Sequence, residues 1–327
     1  MKTIIYERYG SPEVLHVNEV ATPTPEDDEV LIRIRAASVT STDTAFRSGT
    51  PFIARLAAGP TKPRIKTLGD SFAGEVAAIG KDVTRFAVGD RVFGASGPKL
   101  GAHAEYISLA EHAAIETMSE GMSFADGAAI ADGGLTALPF LRDKGLIQAG
   151  DKVLINGASG AIGTIAIQLA KHFGAEVTAV NGGANSELVR SLGADYVIDY
   201  NREDFTRGDD KYDIVFDAVG KSSFSEARRV LKRRGRYLTT VPSLGGMLQV
   251  LRTAIFGGRR AIFAATGLRK PVAKIADLAF LRSLMEAGEL QPVIDRSYPF
   301  ERFADAHAHV DTGHKKGNVV IAIESAA

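Results

Sequence analysis

The segment Gly157-Ala158-Ser159-Gly160-Ala161-Ile162-Gly163 joins an apolar run, Val153-Leu154-Ile155, to a stretch whose apolar positions recur at 162, 165, 166, 169, 170 and 173. Small residues at a strand-to-helix turn let backbone N–H groups at the helix N-terminus face an anion closely, and the chemistry this suits is the binding of a dinucleotide pyrophosphate. Gly160 and Gly163 matter most, and Ala158 stands where the usual GxGxxG has its first glycine. Ala158, Ser159, Gly160, Ala161, Ile162 and Gly163 are therefore the candidate phosphate-binding residues. The competing reading is a glycine-rich surface loop. Strand, helical repeat and the terminating Gly174 lie in register, which argues against it.

The other reactive residue types narrow the chemistry. The chain has no cysteine, which excludes disulfides, a thiol nucleophile and thiolate metal sites. No Ser-His-Asp set is evident. Covalent routes therefore have little support, whereas hydride transfer from a bound nicotinamide chiefly needs the donor held against an electron-poor carbon. Quinones and activated alkenes suit such a site, because hydroxyl or amide donors can stabilise the anion that forms. Thr40, Ser41 and Thr136 are the candidate catalytic donors, with buried threonines that satisfy backbone carbonyls as the plainer alternative. Asp43 is expected to order the local turn, and His103 to be structural.

These residues need elements to position them. After the glycine turn, strand and helix alternate, with strands expected at Val177 to Val180, Tyr196 to Ile198, Asp213 to Asp217, Arg236 to Val241 and Ala261 to Ala265. Six such strands imply a doubly wound parallel sheet with its ligand crevice at the carboxyl ends. Gly163, Asp199, Asp217 to Gly220 and Val241 to Ser243 should converge there, which adds Ala218, Val219 and Val241 to the cofactor-binding candidates. From Met1 to about Met122, strands such as Val30 to Ala37 alternate faces between frequent glycines, as in a mostly antiparallel β domain. Ile275, Leu278, Ala279, Arg282 and Met285 line a helix ended by Gly288, and a last strand is expected at Val319 to Ile323. The expected fold class is α/β, with a β domain at 1–125 completed by 267–327 and a dinucleotide-binding domain at 126–266.

Composition sets further bounds. A chain of 327 residues with 45% hydrophobic content can supply two cores. Lys+Arg and Asp+Glu both number 39, so no overall field gathers polyanions and nucleic acid is not the expected partner. The basic run from Arg228 to Arg236 is read as a helix end before Gly235. The first residues lack a secretory apolar stretch, and Met247 to Phe256 is too short to cross a bilayer and reads as a helix near a pocket or interface. Cytoplasmic location without membrane association is the expectation.

Several motifs together carry a family resemblance: Val88-Gly89-Asp90-Arg91-Val92-Phe93, Ala104-Glu105-Tyr106, Gly134-Leu135-Thr136-Ala137, the glycine turn, Ser191-Leu192-Gly193-Ala194-Asp195 and Gly313-His314-Lys315-Lys316-Gly317-Asn318. In these the chain resembles the medium-chain dehydrogenase/reductase superfamily, and within it the zinc-free quinone oxidoreductase, zeta-crystallin-like branch. The resemblance implies a GroES-like domain, a Rossmann domain inserted between its two parts, a cleft site, usually a homodimer, and Asn318 as a cofactor contact. The apolar edge strand Ala261 to Ala265 independently suggests pairing across a two-fold axis.

The resemblance also frames the metal and the cofactor. Zinc-dependent relatives carry Cys where this chain has Thr40 and His where it has Asp70; a hydroxyl and one carboxylate suit a borderline-soft metal poorly, so no zinc is expected. His307 and His309 lie two apart on a helix and point in different directions, so they are expected to be surface histidines. At the end of the second strand, where an NAD enzyme has an acid, stands Asn181 followed by Gly182-Gly183, which leaves room for a 2′-phosphate and favours NADPH over NADH. Ser186 and Tyr200 are the candidate partners of that phosphate. Tyr200 matches a family residue near it. Family substrate contacts differ here: position 40 is commonly Asn, and a tyrosine often found shortly after is Ala45. The expected activity is NADPH-dependent reduction of a quinone or α,β-unsaturated carbonyl. Zinc-free alcohol oxidation, enoyl-thioester reduction and an NADPH-binding sensor or interaction protein with little turnover remain alternatives.

Overall fold

The computed structural model describes residues 1–241 and 243–323 and divides into two compact units. One comprises Met1–Asp132, Gly267–Glu286 and the chain from Gln291; the other comprises Gly133–Thr266 and Ala287–Leu290.

The second unit is built on a six-stranded sheet in the spatial order Tyr196–Asp199, Glu176–Asn181, Lys152–Asn156, Tyr212–Asp217, Leu231–Thr239, Arg260–Phe263, with every pairing parallel. Numbered within the unit this is 3-2-1-4-5-6, so the order reverses at Lys152–Asn156, where such sheets place their ligand crevice. Val153, Leu154, Ile155, Val177, Val215 and Phe216 are wholly buried, which is why these strands read as unbroken apolar runs. Helix Ala161–His172 follows the first strand and ends on Phe173, with Gly174 left-handed at φ 77°.

One element departs from the sequence reading. The basic run is not a helix terminus: the helix Phe224–Ala227 ends before it, and the strand Leu231–Thr239 begins five residues earlier than expected. Val230 and Leu231 are buried and anchor the strand, Lys232 pairs with Asp213 at 2.6 Å, and Arg236 donates to the Gly145 carbonyl at 2.7 Å. The same strand ends at Thr239, so Val241 lies in the loop after it.

In the first unit a seven-stranded sheet runs Ile294–Pro299, Asn318–Ala322, Glu29–Val39, Ser71–Ile79, Arg91–Ala95, Ala114–Thr117, with Tyr106–Ala110 also pairing with Glu29–Val39. Only the Ile294–Pro299 and Asn318–Ala322 pair is parallel. Ile4, Ile32, Ile34, Phe72, Ile115 and Ile321 fill its core. The helices Ser41–Ser48, Pro271–Glu286 and Phe303–Asp311 belong to this unit. Among the described residues no helix is long and apolar enough to cross a membrane.

Candidate functional site

At the end of Lys152–Asn156 the chain turns on Gly157, whose φ of 81° is left-handed and suits glycine. The Gly157 and Ala158 N–H groups both donate to the Val180 carbonyl at 3.1 Å, and Gly160 N–H donates to the Gly157 carbonyl at 3.1 Å. Gly160 is the N-cap of Ala161–His172, with extended backbone and no capping side chain. The first-turn N–H groups at 161–163 therefore have no partner supplied by helix geometry or by a cap. A Cβ built on Gly160 would meet only the Gly157 carbonyl, at 3.4 Å, so the approach to these donors is open. Gly163 does a different job: a Cβ there would lie 2.2 Å from the Gly157 oxygen and 2.7 Å from Ala158 Cα, so glycine is what lets helix and turn close on each other. An open, uncapped helix N-terminus held by a fixed turn fits the diphosphate of a dinucleotide.

The neighbouring strand ends contribute to the same unit. Asn181 is buried; its Nδ2 donates to the Gly182 carbonyl at 2.8 Å and its Oδ1 has no partner. Asn185 Nδ2 donates to Ser159 Oγ at 3.1 Å and so ties the loop after the second strand to the glycine turn. Ser186 opens the helix Ser186–Ser191, and the exposed Tyr200 places its hydroxyl 3.1 Å from where a Cβ on Gly182 would be.

Asp217 orders the next loop. It is wholly buried, and its carboxylate accepts from Asn156 Nδ2 at 3.1 Å, Gly220 N–H at 2.9 Å, Ser222 N–H at 2.9 Å and Tyr237 Oη at 3.0 Å. This arrangement fixes Ala218 and Val219. Val219 lies against Gly157, where a Cβ would meet it at 2.4 Å, and Val241 lies against Gly220 in the same way at 2.6 Å. The structure thus brings Ala158–Gly163, Asn181, Ser186, Ala218, Val219 and Val241 to the carboxyl ends of one sheet.

Thr40, Ser41 and Asn318 belong to the first unit, and Thr136 to the second. Thr40 is the N-cap of Ser41–Ser48: its hydroxyl donates to Asp43 Oδ2 at 2.7 Å and accepts from Asp43 N–H at 3.2 Å. Its proton is committed to Asp43, so Thr40 orders this turn. Ser41 is exposed, and Thr136 is half-buried in the helix Phe124–Pro139. Asn318 is buried at the head of the last strand, with Nδ2 donating to the Val293 carbonyl at 3.1 Å.

The surface reading of the two histidines is corrected for His307. It is wholly buried because it shares the inward face of Phe303–Asp311 with Phe303, Ala306 and Val310, and it makes an edge contact with His103 at 5.6 Å. Burial holds its imidazole well below the usual histidine range, with His103 and Arg47 adding to the effect. His309 points elsewhere and meets Asp295 at 2.6 Å. His103 Nε2–H donates to the Ser38 carbonyl, 3.0 Å away, in a structural setting.

Residues 26–120 match the alcohol dehydrogenase GroES-like domain, and residues 192–321 match a family described as zinc-binding dehydrogenase. A quinone oxidoreductase of Pseudomonas aeruginosa is 31% identical, over 98% of this chain and 99% of that protein. The chain belongs to the medium-chain dehydrogenase/reductase superfamily, in its quinone oxidoreductase branch. Within the superfamily, the 2-methylene-furan-3-one reductase of Solanum lycopersicum is 35% identical over 98% of this chain and 79% of that protein. Among solved structures, the quinone oxidoreductase of Coxiella burnetii superposes with a TM-score of 0.88 at 30% identity, covering 99% of each chain. The Escherichia coli quinone oxidoreductase complexed with NADPH gives 0.85 at 25%, covering 98% of this chain and all of that one.

This superfamily member also carries ionisable residues that sequence reasoning passed over. Asp132 interrupts the apolar run Ala128 to Leu138, a signal visible in the sequence. Burial pushes its carboxyl up to about 6, Lys315 pulls it back, and Asp43 and Asp70 push it further. Burial likewise raises Asp70, which accepts from Gly97 N–H at 2.6 Å and from Ser96 Oγ at 3.3 Å. Lys274 and Lys315 are lowered by burial, and their ammonium groups donate to the carbonyls of Gly267 and Gly317 at 2.8 and 2.6 Å. Among the described residues, no group of three or more His, Asp or Glu is arranged to hold a metal ion.

Proposed function

We propose that this protein is an NADPH-dependent reductase of quinones or α,β-unsaturated carbonyls that works without zinc. The observation that carries the reading is the uncapped helix N-terminus behind Gly160, closed onto the turn by Gly163. Relatives named 2-methylene-furan-3-one reductase, NADPH-dependent alkenal/one oxidoreductase and quinone oxidoreductase, each above 30% identity, support it. When bound, the dinucleotide supplies the hydride.

The chain's own residues do the rest. N–H groups at 161–163 hold the diphosphate, and Asn185 fixes Ser159 beside it. Asn181 presents a neutral amide in place of a carboxylate, which favours a 2′-phosphate, and Ser186 and Tyr200 are its polar neighbours. Asp217 orders the loop that carries Ala218 and Val219. Ser41 and Thr136 are the hydroxyls free to stabilise a developing oxyanion, and Thr40 positions the turn that carries Ser41.

Zinc-free chemistry is supported by the donors themselves. Thr40 is occupied by Asp43, Asp70 by Gly97 and Ser96, and the chain has no cysteine. A homodimer is supported by the open edge strand Arg260–Phe263 and by the helix Leu244–Phe256 beside it, on which Met247, Leu248, Leu251 and Ile255 are exposed. A cytoplasmic site of action is consistent with the bacterial relatives. The test is a panel of quinone, alkenal and enoyl-thioester substrates with NADPH consumption followed, and of alcohols with NADP⁺ reduction followed, each after metal chelation. Turnover confined to quinones and alkenals supports the proposal; tight NADPH binding with no substrate reduced favours a sensor.

A further inference from the structure

The strand end that lacks an acid has one beside it. Asp199 and Asn181 are direct partners in the parallel pairing of Tyr196–Asp199 with Glu176–Asn181. A Cβ built on Gly183 would lie 2.5 Å from Asp199 Oδ2, so the carboxylate fills the space over Gly183, the second of the two glycines that follow Asn181. Its other oxygen is held in place by Asn201, through the backbone N–H at 3.0 Å and Nδ2 at 2.9 Å. Oδ2 faces the Gly183 loop, with the Arg202 guanidinium 3.7 Å away on an exposed side chain. Asp199 itself is one-fifth exposed.

We infer that Asp199 supplies, one strand over, the carboxylate that Asn181 withholds, and that it sets how far this site prefers a 2′-phosphate over a free 2′-hydroxyl. The inference rests on the cofactor reading above for the position of the adenosine ribose, at the end of the second strand. An acid in that place accepts hydrogen bonds from ribose hydroxyls and repels a phosphate. Here the acid comes from the adjacent strand and lies directly over Gly183, which has no side chain of its own. The hydrogen bonds from Asn201 and Gly183 hold its carboxyl below the usual range, so the charge is present at neutral pH. Tyr200, the next residue, presents its hydroxyl over Gly182. The two faces of the Gly182-Gly183 turn thus carry opposite preferences: a neutral donor on one side and a fixed negative charge on the other. Arg202 offsets that charge from the solvent side, where screening weakens it.

Calorimetric titration of the purified protein with NADPH and with NADH, and with 2′,5′-ADP and 5′-AMP as probes of the adenosine end alone, reads this directly without turnover. Asp199→Asn removes the charge and keeps an acceptor for Asn201; it should tighten NADPH and 2′,5′-ADP about five- to tenfold while leaving NADH and 5′-AMP unchanged or weaker. Asp199→Ser serves if the amide variant does not fold. Glu203→Gln, an equal change of charge on the exposed surface nearby, should leave the ratio alone. A wild-type NADPH-to-NADH ratio that survives both Asp199 substitutions, or an equal shift from Glu203→Gln, overturns the inference and leaves the cofactor reading standing. A wild-type protein that prefers NADH but turns toward NADPH on losing Asp199 overturns the cofactor reading and supports the inference.

Discussion

Gly160 and Gly163 stand three residues apart, yet replacing each with alanine should fail in a different way. A methyl on Gly163 would lie 2.2 Å from the Gly157 oxygen and 2.7 Å from both the carbonyl carbon and Cα of Ala158. Those atoms are backbone and cannot rotate aside, so helix and turn must separate by about 1 Å to restore ordinary contact. Overpacking of this size destabilises by about 1–3 kcal/mol. The displacement also moves the first-turn N–H groups off the diphosphate, which should weaken NADPH about tenfold or more. Gly160 has φ −82° and a single neighbour at 3.4 Å, so alanine fits the backbone and should change stability by no more than about 1 kcal/mol. Its methyl instead occupies the approach to the donors, so NADPH affinity should fall about tenfold with the fold intact. Denaturant unfolding and calorimetric titration on the two variants separate the effects. A Gly163→Ala protein as stable as wild type, or a Gly160→Ala protein that binds NADPH normally, would refute this account of the turn.

Asp132 has a folded-state pKa of about 6 against an ordinary value of 3.8, so its ionisation opposes folding: stability is highest below about pH 4 and declines as pH rises through about 6. Asp132→Asn should remove that decline and add on the order of 1–3 kcal/mol at about pH 8, measured as unfolding free energy across pH; an unchanged slope contradicts it. Asp217→Ala leaves the buried Asn156 amide and the N–H groups of Gly220 and Ser222 without their acceptor, while the Tyr237 hydroxyl keeps the Ser222 carbonyl, and should lower unfolding free energy by about 3 kcal/mol with weaker NADPH binding. A variant that melts like wild type would show the loop to be ordered by something else. Thr40→Ala removes a capping box and should cost about 1 kcal/mol of stability, with turnover per folded molecule kept within a few-fold; a collapse of turnover in a stable Thr40→Ala protein would make Thr40 a substrate contact.

How much was legible in the sequence follows from which physical constraints act locally. The glycine turn is readable because the space between a helix and the turn before it excludes any Cβ at 163, whatever the rest of the chain does. The parallel strands are readable because burial on both faces demands runs such as Val153-Leu154-Ile155. The start of Leu231–Thr239 is not: its Lys232, Arg233 and Arg234 are solvent-facing, so neither continuous apolarity nor clean alternation marks the strand. His307 was hidden for another reason. Helical spacing separates it from His309, but which of the two faces turns inward depends on what the helix packs against. The candidate donor Thr40 and the turn-ordering Asp43 stand three apart, a spacing that allows an N-cap pairing to be read from local sequence. The grouping of Asp43, Asp70, Asp132 and Lys315 joins residues far apart in sequence and needed the fold. Asp199 is of the same kind, since only the strand register puts it opposite Asn181.

The central claim is that a reduced pyridine nucleotide held at the Gly157–Gly163 turn gives its hydride to an acceptor without a metal. It is tested most directly with NADPH deuterated at the nicotinamide C4, mixed with an alkenal and the chelator-treated protein, followed by mass spectrometry of the product. Deuterium at the β-carbon of the saturated aldehyde, incorporated more slowly by the Gly160→Ala variant when NADPH is below saturation, is the predicted result. Product without deuterium, or deuterium transfer that depends on added zinc, would contradict it.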